Sequence, residues 1–289
     1  MKAPALWAEL LNALPRRLWL ALAALTVTAH CTMVLLTQEN PSLALMTLLI
    51  WGGALLCIED QLPALELRPS HWSLLGGGAL LLAGLARTAS VLHLDAITSL
   101  LPLWLGLALA LLCRPLGGLR PWGASLLVLA LLPLSGVIAP LLPDGPLSQL
   151  TARISQVMLL WFGVDAAAAG RELILAGGAV NIAGSCTGID QIAQLVVIAA
   201  IFLLAFPLPS RSSRWWMFAA APVVGLLGNA VRIALLALIT TSRWPSKDWW
   251  FEFLHDANGS LLFSAISVSV FGWLYIAVLE RQLQVRDGG

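Results

Sequence analysis

A cysteine, an arginine and a histidine stand at the edges of apolar segments in the C-terminal half of this chain, each among polar neighbours. Cys186 lies in Asn181-Ile-Ala-Gly-Ser-Cys-Thr-Gly-Ile-Asp190, Arg232 closes Asn-Ala-Val-Arg, and His255 falls in Phe-Leu-His-Asp-Ala-Asn. Ionisable groups beside hydrocarbon are costly, so each of these positions calls for a reason. A thiolate is a nucleophile, a guanidinium stabilises an oxyanion, and an imidazole moves protons near neutral pH. Arginine stays protonated and cannot act as a base, so the proton-transfer role falls to His255.

The local sequence around each residue favours that chemistry. Cys186 immediately precedes a predicted helix, with Ser185 or Thr187 as cap and Gly188 allowing close approach of another element. A helix N-terminus and a neighbouring guanidinium both favour a thiolate over a thiol. Asp190, four residues after Cys186, is expected on the same helix face and would hold Arg232 by a charge-assisted bond. Asn229, three residues before Arg232, shares its face and would steer a substrate carbonyl. Asn181 and Asp256, polar residues of the same runs, complete the supporting set. The remaining thiols, Cys31, Cys57 and Cys113, lie in or at the end of apolar runs and read as packing residues. His30, His71 and His93 read as structural, and Arg87 as a cation leaning out toward His93 and Asp95. No Cys or His spacing points to a metal, and no cofactor is implied.

The elements that must position these residues are membrane spans. Of 289 residues, 59% are hydrophobic and 11% charged, with a mean hydropathy of +0.88. That composition describes an all-α polytopic membrane protein in a lipid bilayer. A net charge of +1 gives no footprint for nucleic acid. Apolar runs near 18–36, 43–58, 72–94, 97–113, 122–142, 188–206, 215–240 and 259–279 predict about eight transmembrane helices. The first is read as a retained helix rather than a cleaved signal peptide. The expected organisation is a single transmembrane domain with a five-helix part at 1–142, an outer cap at 143–187 and a three-helix catalytic part at 188–289. Within the cap, 148–164 predicts an amphipathic helix on the outer interface, and 171–184 a hairpin turning at Gly177-Gly178. Trp19, Trp72, Trp122, Trp215, Trp216 and Trp273 lie near span ends, the places of interfacial tryptophans.

Orientation follows from lysine and arginine. With both termini in the cytoplasm, Lys2, Arg16, Arg17, Arg68, Arg114, Arg120, Arg211, Arg214, Arg281 and Arg286 fall inside. Arg153, Arg171, Arg243 and Lys247 fall outside, and Arg87 and Arg232 lie within spans. In that frame Cys186 is at the outer end of the sixth span. Arg232 lies roughly 12 Å below the outer end of the seventh, and His255 in the loop before the eighth. Three separate stretches thus deliver cysteine, arginine and histidine to the outer third of the membrane.

At these residues the chain resembles the exosortase/archaeosortase family of membrane cysteine transpeptidase-like enzymes. The resemblance rests on Ser-Cys-Thr-Gly-Ile-Asp at 185–190, Asn-Ala-Val-Arg-Ile at 229–233 and Phe-Leu-His-Asp-Ala-Asn-Gly-Ser at 253–260, in that order. It covers about 180 to 280, and Phe-Leu-His with Gly-Ser-Leu-Leu-Phe resembles the cyanobacterial branch. Thr187 stands where many bacterial members have serine, a change that keeps the hydroxyl. The resemblance implies Cys186 as nucleophile, Arg232 for the oxyanion and His255 as acid/base. It also implies exported substrate proteins whose C-terminal tail carries a short motif (Pro-Glu-Pro in the bacterial type), a transmembrane helix and a basic end, cut at the outer face of the inner membrane. The chemistry alone leaves two rivals. One is a transporter or assembly factor with a polar intramembrane site at Asp190, Asn229 and Arg232. The other is a thiol redox protein, for which the cysteine spacing offers no pair.

Overall fold

The computed structural model describes residues 3–37, 41–90, 96–138 and 141–287. Its elements, in order, are α1 (Ala3–Thr37), α2 (Pro41–Leu56), α3 (His71–Ala89), α4 (Ala96–Cys113), α5 (Gly123–Ile138), α6 (Asp144–Trp161), β1 (Ala166–Ala169), β2 (Glu172–Leu175), β3 (Gly178–Asn181), α7 (Ile189–Ala205), α8 (Arg211–Thr241), α9 (Lys247–His255) and α10 (Ala257–Asp287). Each of the eight expected apolar runs overlaps a helix over most of its described residues. Pro15–Thr37, Arg211–Thr241 and Gly259–Gln284 are long and apolar enough to cross a bilayer. Ser42–Leu56, Ile97–Cys113 and Ile189–Ala205 are shorter apolar helices. The chain divides into two compact units, Met1–Leu134 and Ser135–Gly289.

In the first unit, tryptophan N–H groups and a serine hydroxyl tie helices to one another. Trp19 Nε1 donates to the Leu109 carbonyl (3.0 Å), Trp104 Nε1 to Leu80 (3.0 Å), and Trp51 Nε1 to His30 Nδ1 (3.2 Å). Ser125 Oγ donates to the Ala54 carbonyl (2.8 Å). Trp19 and Trp122 are buried and meet edge to face at 5.3 Å. They are packing residues, not the interfacial anchors expected from their place in the sequence, because an indole at a span end turns inward when a carbonyl and a second ring are offered there. Trp72, Trp215, Trp216 and Trp273 are exposed. Arg87 donates to the Ser90 carbonyl (3.4 Å); His93 and Asp95 lie outside the described residues.

The second unit holds Cys186, Arg232 and His255. Its core helices α7 and α8 approach closely because Gly225 has no side chain. A β-carbon there would fall 3.0 Å from Ile192 Cα. Gly228 serves the same purpose one turn on, under Gln191 Nε2. That amide donates to the Phe263 carbonyl (3.1 Å) and to Ser267 Oγ (2.8 Å), joining α7 to α10. At the other end of α7, the Tyr275 hydroxyl of α10 donates to the Phe206 (2.5 Å) and Phe202 (3.1 Å) carbonyls. Both termini of α7 are thereby held against α10.

Helix α6 is present where expected, and it is docked. Ser148, Thr151, Ala152, Ser155 and Leu159 form its buried stripe, while Gln149, Arg153, Val157, Leu160 and Trp161 are exposed. Ser155 Oγ donates to the Ala230 carbonyl of α8 (2.8 Å). The mostly small residues of the buried stripe let α6 lie close against its neighbours. The expected hairpin is β2–β3, turning through Ala176-Gly177, and it is one strand larger than expected. β1 pairs antiparallel with β2, giving a sheet in the order β1-β2-β3. Four successive alanines carry no strand signal. They are extended here because β2 and the side chain of Gln156, which donates to the Ala166 carbonyl (3.1 Å), take up their backbone groups. Leu173 and Leu175 turn to the core from β2.

The close α7–α8 contact gives a direct prediction. Gly225→Val should destabilise the protein by about 1–3 kcal/mol, since a backbone stands in the way of the added carbons. Gly76→Ala, where nothing lies within 4 Å, should leave the midpoint unchanged or slightly raised. Thermal unfolding in detergent micelles by circular dichroism measures both.

Candidate active site

Cys186 sits in a short turn of 3₁₀ helix, Gly184–Cys186, and not in α7 itself. Gly188, at φ +88°, is the N-cap of α7 and breaks the path between them. The caps expected from Ser185 or Thr187 are thus replaced by glycine. The Thr187 hydroxyl donates to the Gly184 carbonyl (2.9 Å) and accepts weakly from the Ile189 amide (3.4 Å); the side chain of Ser185 is not among those described. Gly188 does allow close approach, as expected: a β-carbon there would meet Asn229 Nδ2 at 2.7 Å. Cys186 is 7% exposed, in an apolar core with Leu173, Ile182, Ile233, Leu254 and Phe263.

Asn229 Nδ2 donates to the main-chain carbonyl of Cys186 (2.9 Å), and the residue is 1% exposed. It thereby holds the backbone of the thiol-bearing turn. The turn is fixed from a second side by Thr151 Oγ1, which donates to the Thr187 carbonyl (3.2 Å).

Arg232 is 2% exposed, and its guanidinium donates to two main-chain carbonyls at the end of α9. Nε reaches Leu254 (2.9 Å) and Nη2 reaches His255 (2.7 Å). These are carbonyls that a helix C-terminus leaves without partners, and a cation is favoured beside them. The ion pair expected with Asp190 is not formed. Asp190 is exposed in the first turn of α7, where its charge complements the helix amides. The left-handed glycine between Cys186 and α7 removes the shared-face relation on which that expectation rested. Among the described residues the ion pair is Arg68–Glu66, far off in the chain.

His255, expected in the loop before the eighth span, is the last residue of α9, a short helix within that connection. Nine residues separate Arg232 from the end of α8 at Thr241, and α9 is nine residues long. At about 1.5 Å per residue each leg covers about 13 Å, so α9 returns along α8 by the depth that α8 overshoots. The exposed imidazole stacks on Phe251, ring centres 5.3 Å apart and planes 14° apart. Gly259 closes the corner into α10, because any side chain there would strike the Leu254 backbone. Asp256 and Asn181 are exposed, Asp256 at the C-cap of α9 and Asn181 at the end of β3. The structure therefore gathers Cys186, Asn229, Arg232 and the α9 terminus bearing His255, and leaves Asp190 outside. Gln191 and Thr151 went unnoticed in the sequence. A glutamine five residues past the cysteine, inside an apolar run, was the available signal for the first.

The geometry speaks against a polar-solute site at Asp190, Asn229 and Arg232: Asn229 and Arg232 are buried and each is engaged with backbone carbonyls, while Asp190 is exposed and apart from them. It groups a shielded thiol, an adjacent fixed cation and an accessible imidazole, a set suited to covalent acyl chemistry. The model of the transmembrane exosortases matches residues 35–272, and the chain belongs to that family. No curated protein and no solved structure matches it. Membership makes it an integral membrane protein of the cysteine transpeptidase type, acting on exported substrates.

Replacing the Arg232 fork tests what that side chain does. Arg232→Lys keeps the charge and loses the paired carbonyl bonds. Amide hydrogen exchange in 254–260 should rise by at least about tenfold, the loss of roughly one to two hydrogen bonds. Unchanged protection would mean that α9 is held by something else.

Proposed function

We propose that this protein cuts the C-terminal sorting tail of exported proteins by a thioester mechanism, with Cys186 as nucleophile. The Cys186 sulfur attacks the carbonyl carbon of the scissile peptide, and the carbonyl oxygen becomes an oxyanion. Arg232 faces that charge with the N–H groups that Leu254 and His255 leave unused. Collapse breaks the C–N bond, and His255 gives a proton to the departing amine. The acyl group is then a thioester on Cys186. Water or an amine attacks it, His255 accepts the attacker's proton, and the thiolate is released.

The observation that supports this reading is the pair of anchors one turn apart on α8. Asn229 holds the carbonyl of Cys186, and Arg232 holds the carbonyls of Leu254 and His255, so the turn bearing the nucleophile and the helix end bearing the acid/base are fixed from a single helix. Eight spans with both termini in the cytoplasm would put this site at the outer face of the inner membrane. A substrate tail with a transmembrane helix and a basic cytoplasmic end would then bring its motif, Pro-Glu-Pro or a relative of it, to the same level. Membership in the cyanobacterial branch is part of the proposal and rests on Phe-Leu-His and Gly-Ser-Leu-Leu-Phe.

Co-expression with a tailed substrate tests the assignment. Cys186→Ala should abolish processing, and Arg232→Ala and His255→Ala should each lower it by about 10²-fold or more. Asp190→Asn should remain within about threefold of the parent, because its carboxylate is exposed and outside the cluster. Normal processing by Cys186→Ala would end the proposal.

A further inference from the structure

The sheet ends in an edge that leads straight to the nucleophile. β3 is bonded to β2 on one side only. Its register, Leu175 opposite Gly178 and Glu172 opposite Asn181, closes on a two-residue turn, and the Ile182 amide donates to the Arg171 carbonyl (2.9 Å) beyond it. In an antiparallel pair the main-chain groups of successive residues alternate in direction. Gly178, Val180 and Ile182 therefore face β2, while Ala179 and Asn181 point their N–H and C=O groups away from the sheet.

The two edges of the sheet are treated differently. On β1 the outward carbonyl of Ala166 is taken by Gln156 of α6 (3.1 Å). On β3, no described residue takes up the outward groups of Ala179 or Asn181, and both residues are exposed. The usual guards of a free edge are absent, since Gly178-Ala179-Val180-Asn181 holds no charge, proline or bulge. Such groups cannot face hydrocarbon unpaired. Ile182 next to them is fully buried in the same core as Cys186, so edge and thiol move as one piece.

We propose that the free edge of β3 binds the substrate by strand addition, pairing with an extended stretch of its backbone beside the scissile bond. This rests on the peptidase reading above. The Ala179 and Asn181 groups, about 6.8 Å apart, match alternate residues of an extended peptide. Main-chain pairing supplies affinity independent of side chains, and five residues further on the chain presents Cys186. The ligand class is an extended polypeptide segment, held in register relative to the thiol.

The test uses full-length Cys186→Ala protein in micelles and a fluorescent peptide spanning the cut of a substrate whose processing depends on Cys186. Binding is read by anisotropy. Backbone N-methylation, placed at four successive residues in turn, should weaken binding about tenfold at alternate positions and leave the others unchanged, as loss of a bond worth about 1.4 kcal/mol would. Ala179→Pro removes one outward N–H, a substitution an edge strand accepts, and should weaken binding by a similar factor. With Cys186 restored, Ala179→Pro should raise KM and leave kcat within about twofold. Ala168→Pro, on the other edge, should change neither. Methylation effects without alternation, no binding by the Cys186→Ala protein, or full affinity in Ala179→Pro would each overturn the proposal. If no processing depends on Cys186, it is the peptidase reading that fails first.

Discussion

The second unit is organised around one buried cation. A guanidinium that is 2% exposed inside a membrane protein costs several kcal/mol unless hydrogen bonds compensate its charge. Arg232 meets that demand with the terminal carbonyls of α9, which themselves lack partners in the helix. Each side resolves the other's deficit. The consequence is geometric: α9 must fold back along α8 far enough to offer Leu254 and His255, and its imidazole is carried along. The corner that follows requires Gly259, and the close approach on the opposite flank requires Gly188.

The thiol-bearing turn is held by a parallel device. Cys186 lies outside any α-helix, so its backbone would be free to drift. Asn229 and Thr151, from α8 and α6, take the carbonyls of Cys186 and Thr187. Asn229 and Arg232, one turn apart on α8, therefore anchor the two halves of the site from a single rigid helix. Gln191 then joins α7 to α10 beneath them. None of these bonds is between opposite charges. They are amide, hydroxyl and guanidinium donors to main-chain carbonyls and, from Gln191, to the Ser267 hydroxyl, the partners available where water is scarce.

The polar residues of the candidate site stand out in the sequence because polar groups in apolar runs are expensive. The structure groups the Cys186 turn with Asn229, and Arg232 with the end of α9 that carries His255. What the sequence hid was partner choice. Periodicity says that Asn229 and Arg232 share a face, but not that both would meet carbonyls. It put Asp190 beside Cys186 on a continuous helix, and the left-handed Gly188 interrupts that helix. The strand at Ala166–Ala169 was hidden because alanine prefers helix, and only pairing with β2 overrides the preference. The tryptophans at 19 and 122 looked interfacial because span ends are where such residues go, and a nearby carbonyl and ring decided otherwise.

The central claim is that substrate becomes covalently attached to Cys186. Rapid acid quench of the enzyme during turnover of a tailed substrate, followed by digestion and mass spectrometry, addresses it. The account predicts an acyl adduct on the peptide containing Cys186, labile to hydroxylamine and absent from those containing Cys31, Cys57 and Cys113. Steady turnover with no adduct on Cys186, or an adduct on another residue, would contradict it.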